Sequence, residues 1–299
     1  MNKSYITTDF ADELYGKSEK KDGVLIKRTK RKVANITWVK IDNDENKYGK
    51  PHGNYITIEC SDLDDHALIS KIISSNLKRI MKANGFKSKD KILIVGLGNG
   101  RFLSDALGPK VLEKINITSH VLAKEKIKGL HDVSCIAPGV MATTGMETSD
   151  IIKSLIPVFN IKMLIVIDAL ATRSVKRLNC AFQISDVGIS PGSGINNKRK
   201  EITKESMGIP VIALGVATVV DATSIIINAL KSIEDDNLMK NSNKIIEHVL
   251  KEKSNNLIMT SKEIDRIVND LSHIIALSIN YAINPQLCHN STRNNISFY

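Results

Sequence analysis

Two aspartates follow short apolar runs in the middle of the chain, and together they could carry acid–base chemistry. Asp168 directly follows the run at residues 164–167, and Asp105 follows the stretch after the run at residues 92–95. Ligands of open α/β sheets bind at the carboxyl ends of parallel strands. Two close carboxylates cannot both ionise cheaply, so one keeps its proton near neutral pH. The ionised acid could activate a water while its partner polarises a carbonyl and protonates a leaving amine, which is hydrolysis without a metal.

Each aspartate also has a purely structural interpretation. Asp105 stands just before a helical stretch and could be its N-cap. Asp168 could be bonded to neighbouring backbone N–H groups or to Arg173. The pair could instead hold a cation if a third ligand approached. The residues alone leave these alternatives open.

Two loops could assist such a pair. The stretch GLGN at residues 96–99 ends in Asn99 and resembles a phosphate loop, but Arg101 stands where a dinucleotide fingerprint needs its third glycine, so nucleotide binding is not expected. Residues 185–194 are dense in Gly, Ser and Pro and include Asp186 and Ser193. This loop could support a substrate backbone or donate N–H groups to an oxyanion, or it could be a long surface turn.

The surrounding pattern predicts the elements that position these residues. Alternation at residues 33–41 and 54–60 predicts strands, and residues 65–81 have helical spacing. The runs at 92–95, 164–167 and 211–214 predict buried parallel strands, with a further short strand at 134–136 and helices from about 105 and 148. Asp221 is predicted to cap a helix, and Thr260 with Glu263 predicts a capping box before a last helix. That helix carries the apolar stripe Ile264, Ile267, Val268, Leu271, Ile274 and Ile275. The sequence predicts an α/β fold whose central, mostly parallel sheet is flanked by helices.

Composition narrows the setting. The 299 residues include 42 Lys and Arg against 32 Asp and Glu, a net charge of +10 that favours acidic partners, although an ordinary Lys-rich bacterial protein would show it too. No signal peptide is visible, and no apolar run reaches the ~18 residues of a membrane span. The four cysteines are far apart, and neither they nor the seven histidines show metal-ligand spacing. We expect a cytoplasmic protein without a cofactor, a bound metal or a membrane partner.

Several longer blocks resemble the germination protease family, the atypical aspartic peptidase family A25. They are GLGN (96–99), DALGPKV (105–111), IAPGVM (136–141), TGMETSD (144–150), IDALA (167–171), QISD (183–186), PGSG (191–194), KRKE (198–201) and GIPVIA (208–213). The resemblance implies Asp105 and Asp168 as the catalytic acids, with Asn99, Asp186, Ser193 and Arg173 as candidates for substrate binding or loop support. Ser190 and Asn196 depart from the family pattern, which leaves loop details open.

The resemblance also implies a biological role. The family consists of endopeptidases that begin the degradation of small acid-soluble spore proteins during germination. It implies a fold similar to hydrogenase maturation proteases, a homotetramer, and a location in the forespore and spore core. DNA would be met only indirectly, through the substrate. The alternatives are a metal-dependent maturation protease of the same fold and a non-enzymatic module that binds nucleic acid.

The N-terminus resembles the site at which the family cuts its substrates and its own propeptide. That site is Glu followed by a hydrophobic residue, Ala, a small residue and Glu, and residues 9–13 read DFADE. We therefore predict a zymogen that cleaves itself between Asp9 and Phe10. Residues 1–9 would be the propeptide, and residues 10–299 a single peptidase domain with a variable insertion around 234–256. A polar, terminal segment could enter a neighbouring active site.

Overall fold

The protein is built on one large β-sheet. The computed structural model describes residues 8–15, 20–21, 23–43, 50–192, 199–232 and 258–289. Within these ranges ten strands join in one sheet, in the order β1-β2-β3-β4-β8-β9-β7-β5-β6, with β10 also pairing with β9. The strands are β1 (Lys20–Lys21), β2 (Val24–Lys30), β3 (Ala34–Ile41), β4 (Gly53–Cys60), β5 (Lys91–Gly96), β6 (Asp132–Ile136), β7 (Met163–Thr172), β8 (Ala181–Ser185), β9 (Val211–Asp221) and β10 (Ile258–Met259).

The sheet is mixed, so the prediction of a mostly parallel sheet holds only for its centre. Strands β6, β5, β7 and β9 are parallel to their neighbours within this group. The strands β1 to β4 form an antiparallel meander, and β8 joins it to β9 through antiparallel pairs on both sides. In the meander, β2 had escaped sequence analysis because only Val24 and Ile26 of its seven residues are buried.

Helices cover one face of the sheet and part of the other. They are α1 (His66–Ala83), α2 (Leu107–Leu112), α3 (Ser119–Leu122), α4 (Met141–Thr144), α5 (Thr148–Phe159), α6 (Lys204–Met207), α7 (Ala222–Ser232), α8 (Ile264–Ile283) and α9 (Pro285–His289). Alternate residues of β5 point to opposite faces: Ile92 and Ile94 pack with α1 and α8, whereas Leu93 and Val95 pack with Ile152 of α5. A strand buried on both faces reads as a continuous apolar run, which is why it was recognisable from the sequence.

The structure confirms the predicted apolar stripe of the last long helix, α8, but not its predicted N-terminal cap. Its predicted apolar stripe does face the core, and Val268, Leu271 and Ile274 have no exposed surface. The predicted capping box is wrong, because α8 begins at Ile264 and the Glu263 side chain makes no capping hydrogen bond. The hydroxyl of Thr260 instead donates to the carbonyl oxygen of Thr218, beside the pairing of β10 with β9.

The N-terminal segment (residues 8–15) covers part of the second sheet face. Phe10 and Ala11 have no exposed surface. Phe10 packs against Leu170 of β7, Ala181 of β8 and Ala217 of β9. The segment is therefore a layer of its own chain rather than a loose terminus. The predicted insertion at 234–256 lies outside the described residues, and no helix among the described residues is long and apolar enough to cross a membrane.

Candidate active site

Asp105 is held by the loop that follows β5. It ends a short 3-10 turn, Leu103–Asp105, and the backbone N–H of Asn99 donates to its Oδ2 at 2.8 Å. Gly98 has φ +107°, and a Cβ at that position would lie 2.0 Å from the carbonyl oxygen of Asp105. Only glycine can therefore bring the loop this close. The carboxylate does not cap α2, whose N-cap is Ala106 without a side-chain hydrogen bond.

Asp168 lies inside β7 rather than after it, which corrects the predicted end of that strand. The pairing of β7 with β5 stops at Gly96 and Ile167, while its pairing with β9 continues to Thr172. Asp168 is thus the first residue of β7 beyond the end of β5. After β5 the chain continues to β6 on one side, and after β7 it continues to β8 on the opposite side of the sheet. Open sheets bind ligands at such a reversal of strand order.

The two carboxylates line one cavity, together with Leu97, Gly98 and, from the loop at residues 185–194, Pro191 and Gly192. Burial raises the pKa of Asp168 well above its usual value, and the charges of Asp105 and Asp9 raise it further. The N–H of Ala169, which donates to Asp168 Oδ1 at 2.9 Å, acts in the opposite direction. Burial also raises the pKa of Asp105, partly offset by the Asn99 bond.

The N-terminal segment runs along β7, close enough for the charge of Asp9 to act on Asp168. The N–H of Asp9 donates to the carbonyl oxygen of Ala171 at 3.0 Å, and the N–H of Ala171 donates to Asp9 Oδ2 at 2.8 Å. Ala171 belongs to the part of β7 that β5 no longer pairs with. The Asp9 carbonyl oxygen, which belongs to the predicted scissile bond, accepts from Lys50 Nζ at 3.2 Å and from Gln183 Nε2 at 2.9 Å. The segment docks on its own chain. The sequence had suggested instead that it could enter a neighbouring active site.

The acidic side chains beyond the predicted cut are also paired. The guanidinium of Arg177 donates to both carboxylate oxygens of Asp12, at 3.1 and 2.6 Å. Glu13 accepts from Thr172 Oγ1 at 2.5 Å and from the N–H of Arg173 at 2.9 Å. Both carboxylates are nearly buried, with 5% and 8% of their side chains exposed. Charge-assisted bonds of this kind fix the position of a peptide as well as stabilise it.

The remaining candidates from sequence analysis divide between this region and elsewhere. Asn99 supports Asp105 through its backbone, and Arg173 meets the N-terminal segment through Glu13. Asp186 accepts from the backbone and side chain of Asn54, at 2.7 and 2.8 Å, and does not line the cavity of the carboxylate pair. Ser193 and Asn196 lie outside the described residues. Ser190, the other departure, donates to Glu201 Oε1 at 2.9 Å.

Two other chemistries have little support among the described side chains. Burial raises the pKa of Cys60 and of Cys135 to about 12, and it raises those of Cys180 and Cys288, so none of these thiols is poised as a thiolate. Across the described ranges no group of three or more His, Cys, Asp or Glu is placed to hold a metal ion.

Nothing in the sequence predicted that the N-terminal segment would contact Lys50, Gln183 and Arg177. Gln183 lay within a block that carried the family resemblance, but nothing in that block showed what it would touch. Gly215 gave a usable signal, since an isolated glycine inside an apolar strand marks a place where another group approaches closely. It pairs with Asp168 on one side and with Gln183 on the other.

The structure thus shows two aspartates on one cavity and a segment of the same chain bonded along β7 and β8. The sequence profile of the germination protease family matches residues 5–237. Proteins named germination protease are similar over nearly the whole chain. That of Caldanaerobacter subterraneus subsp. tengcongensis is 37% identical over 94% of this chain and 95% of its own, and that of Bacillus cereus is 35% identical over 98% and 97%. That of Oceanobacillus iheyensis is 34% identical over 89% and 88%. The chain belongs to the germination protease family, and this membership supports a peptidase role in spore germination.

Proposed function

We propose that this chain is an endopeptidase that cuts after an acidic residue, first in its own N-terminal segment and then in small acid-soluble spore proteins. The observation that carries the proposal is the docking of residues 9–13 along β7, where the charge of Asp9 acts on the buried Asp168. Asp9 is bonded to β7, Phe10 fills an apolar pocket, Ala11 has no exposed surface, and Glu13 is bonded by Thr172 and Arg173 N–H. These contacts fit the acidic, hydrophobic, Ala and final acidic positions of the family's cleavage site, and Asp12 stands where that site has a small residue.

Hydrolysis would use the two carboxylates in turn. Burial raises the pKa of both acids, and it raises that of the more deeply buried Asp168 well above its usual value, so the proposal assigns the proton of the pair to Asp168 and the role of base to Asp105. Asp105 takes a proton from water as the hydroxide attacks the carbonyl carbon of Asp9. Breaking the C–N bond then requires a proton on the Phe10 nitrogen, which the protonated carboxyl supplies. The products are the Asp9 carboxylate and the Phe10 amine.

The acidic contacts of the site give the positive charge a use. Arg177 is paired with Glu13, and the charges of Asp9 and Glu13 act on Lys50, so substrates with acidic residues at these two positions would be drawn to the same contacts. DNA would be met only through the substrate, and cleavage of a DNA-bound substrate should then slow as salt rises. The family resemblance adds a homotetramer, about four times 33.0 kDa, and action in the forespore and spore core. Sedimentation velocity tests the oligomer.

The test compares chains lacking residues 1–9, with Asp168 intact or changed to Asn, on a peptide containing Glu-Phe-Ala-Ser-Glu in the presence of EDTA. The intact chain should cut after the first Glu, and both Asp168→Asn and Asp105→Asn should not. Asp186→Asn is the matched control, because Asp186 is bonded to Asn54 away from the cavity and should keep cleavage. Equal cleavage by the Asp168→Asn variant would show that Asp168 is structural. Cleavage that appears only when a metal is added would favour a metal-dependent peptidase.

A further inference from the structure

The carbonyl group of the Asp9–Phe10 bond has two side-chain donors on one oxygen. Gln183 Nε2 lies 2.9 Å and Lys50 Nζ lies 3.2 Å from the Asp9 carbonyl oxygen. Lys50 also donates to the carbonyl oxygen of Thr8 at 3.2 Å. Two donors converging on one peptide oxygen, one of them cationic, are the components of an oxyanion-binding site.

Gln183 holds the peptide on both sides of Phe10. While its Nε2 donates to the Asp9 carbonyl, its Oε1 accepts from the N–H of Ala11 at 3.0 Å. One orientation of the amide satisfies both bonds. Gln183 is 7% exposed, so the bond to the carbonyl is made almost out of water. A donor in such a place stabilises a developing negative charge far more than it would in solvent.

The row of residues across the sheet connects these donors to the acid pair. Asp168 of β7 is paired with Gly215 of β9, which is paired with Gln183 of β8. Paired residues on neighbouring strands point to the same face, so Asp168 and Gln183 stand on one face about 10 Å apart with a glycine between them. A Cβ on Gly215 would lie 2.6 Å from the Asp168 carbonyl oxygen and from Leu170 Cγ. Only glycine therefore allows this close approach, and Gly215 lines one cavity with Asp9, Lys50 and Gln183, while Asp105 and Asp168 line another.

We propose that Lys50 and Gln183 are the electrophilic pair of the reaction, which binds the oxyanion formed when water attacks the carbonyl carbon preceding the scissile bond. This rests on the proposed function, since it assigns residues to the same peptide hydrolysis. In the step, the C=O π electrons move onto the oxygen as the water oxygen bonds to carbon. When the C–N bond breaks, those electrons re-form the C=O, and the nitrogen receives its proton from the acid pair.

The charges around Lys50 fit this role. Burial lowers the pKa of Lys50, and Arg173 lowers it further, whereas Asp9 and Glu13 raise it. The ammonium is thus stabilised by acids of the very segment that it contacts. A substrate with acids in these positions would bring its own counter-charges to Lys50, while a neutral peptide would not. Lys50 would then both select substrates with acidic residues and stabilise the oxyanion.

The experiment follows self-cleavage of the full chain between Asp9 and Phe10 by mass spectrometry between pH 4 and 8. Lys50→Met and Gln183→Leu should each slow the cut by about 10²–10³-fold. Lys50→Arg, which keeps a cationic donor, should recover part of the rate. Lys71→Met, the same change at an exposed position of α1, should cut like the unchanged chain.

A second measurement separates chemistry from docking. Each variant is combined with Asp168→Asn, which leaves the chain uncut, and hydrogen exchange is recorded over residues 8–15. The proposal expects Lys50→Met to keep most of the protection of the segment although it loses the cut. If protection is lost in proportion to the rate, Lys50 only anchors the segment and the proposal is overturned.

The outcomes also distinguish this proposal from the proposed function. If the unchanged chain cuts itself and Asp168→Asn does not, but Lys50→Met and Gln183→Leu cut at the unchanged rate, then the electrophilic pair is wrong and the acid pair stands. If the unchanged chain does not cut at any pH in the range, the proposed self-cleavage fails, and the assignment of Lys50 and Gln183 fails with it.

Discussion

Replacing Phe10 with alanine tests whether packing holds the N-terminal segment at the site. Phe10 has no exposed surface and lies against Leu170, Ala181 and Ala217. Removing a fully buried phenylalanine side chain costs about 3–5 kcal/mol. At about 1.4 kcal/mol for each factor of ten, the ratio of docked to undocked segment should fall by a factor between roughly 10² and 4 × 10³. The whole-protein free energy of unfolding should fall by no more than the docking free energy, because the segment can detach alone.

The assay is hydrogen exchange at Ala11, whose N–H is bonded to Gln183. Its protection should drop by the same factor, or be lost completely if the docking free energy is smaller than the packing free energy that is removed. Phe159→Ala is the control, because Phe159 is half exposed on α5 and its loss should change stability by only about 0.5 kcal/mol. Unchanged protection at Ala11 in the Phe10→Ala variant would refute the packing argument. Faster self-cleavage in that variant would show that the docked state protects the bond rather than presents it.

Three further perturbations have defined outcomes. Asp168→Asn should raise the free energy of unfolding at pH 7, and this gain should vanish as pH falls below about 4. The reason is that a carboxyl group with a raised pKa in the folded state costs stability only above its pKa in the unfolded state. Urea unfolding across pH measures the effect, and a difference between the variant and the unchanged chain that does not vary with pH would show that the pKa of Asp168 is not raised. Arg177→Met should weaken docking of the N-terminal segment by up to about 3–5 kcal/mol, because docked Asp12 would be buried without its cation; hydrogen exchange over residues 8–15 measures this against the exposed control Arg266→Met. Gly215→Ala should cost about 1–3 kcal/mol in thermal unfolding and slow peptide cleavage, and a stable, fully active variant would contradict the close approach.

The elements that could be predicted from the sequence are mainly the strands that are buried on both faces. Strands β5, β7 and β9 are apolar on both faces, so their sequences needed no knowledge of their neighbours. Strand β2 is mostly exposed, and its Lys and Arg residues hid the alternation. Whether neighbouring strands run parallel or antiparallel depends on how the chain connects them. The hydrophobic pattern within each strand does not encode this connection. Terminal segments are usually poorly ordered, so burial of Phe10 had no sequence signal beyond its type.

The site was predictable only in part for a related reason. Asp105 and Asp168 could be paired in advance because both follow apolar runs that form adjacent parallel strands. Lys50 and Gln183 are far apart along the chain, and no spacing rule joins them. They meet because β4, which begins three residues after Lys50, pairs with β8, which contains Gln183. Strand pairing at long range is what residue types cannot show.

Any other substrate has to compete with the docked N-terminal segment for the same groove. Residues 10–13 stay joined to the chain when the Asp9–Phe10 bond is cut, and a joined ligand acts as if present at roughly millimolar concentration. A free protein at micromolar concentration would compete at a disadvantage of about a thousandfold. The proposed cut removes this disadvantage, because it turns the Phe10 amide into an ammonium in a pocket where Phe10 has no exposed surface. Burying an ion costs several kcal/mol, so the new terminus is expelled and the groove opens to other chains.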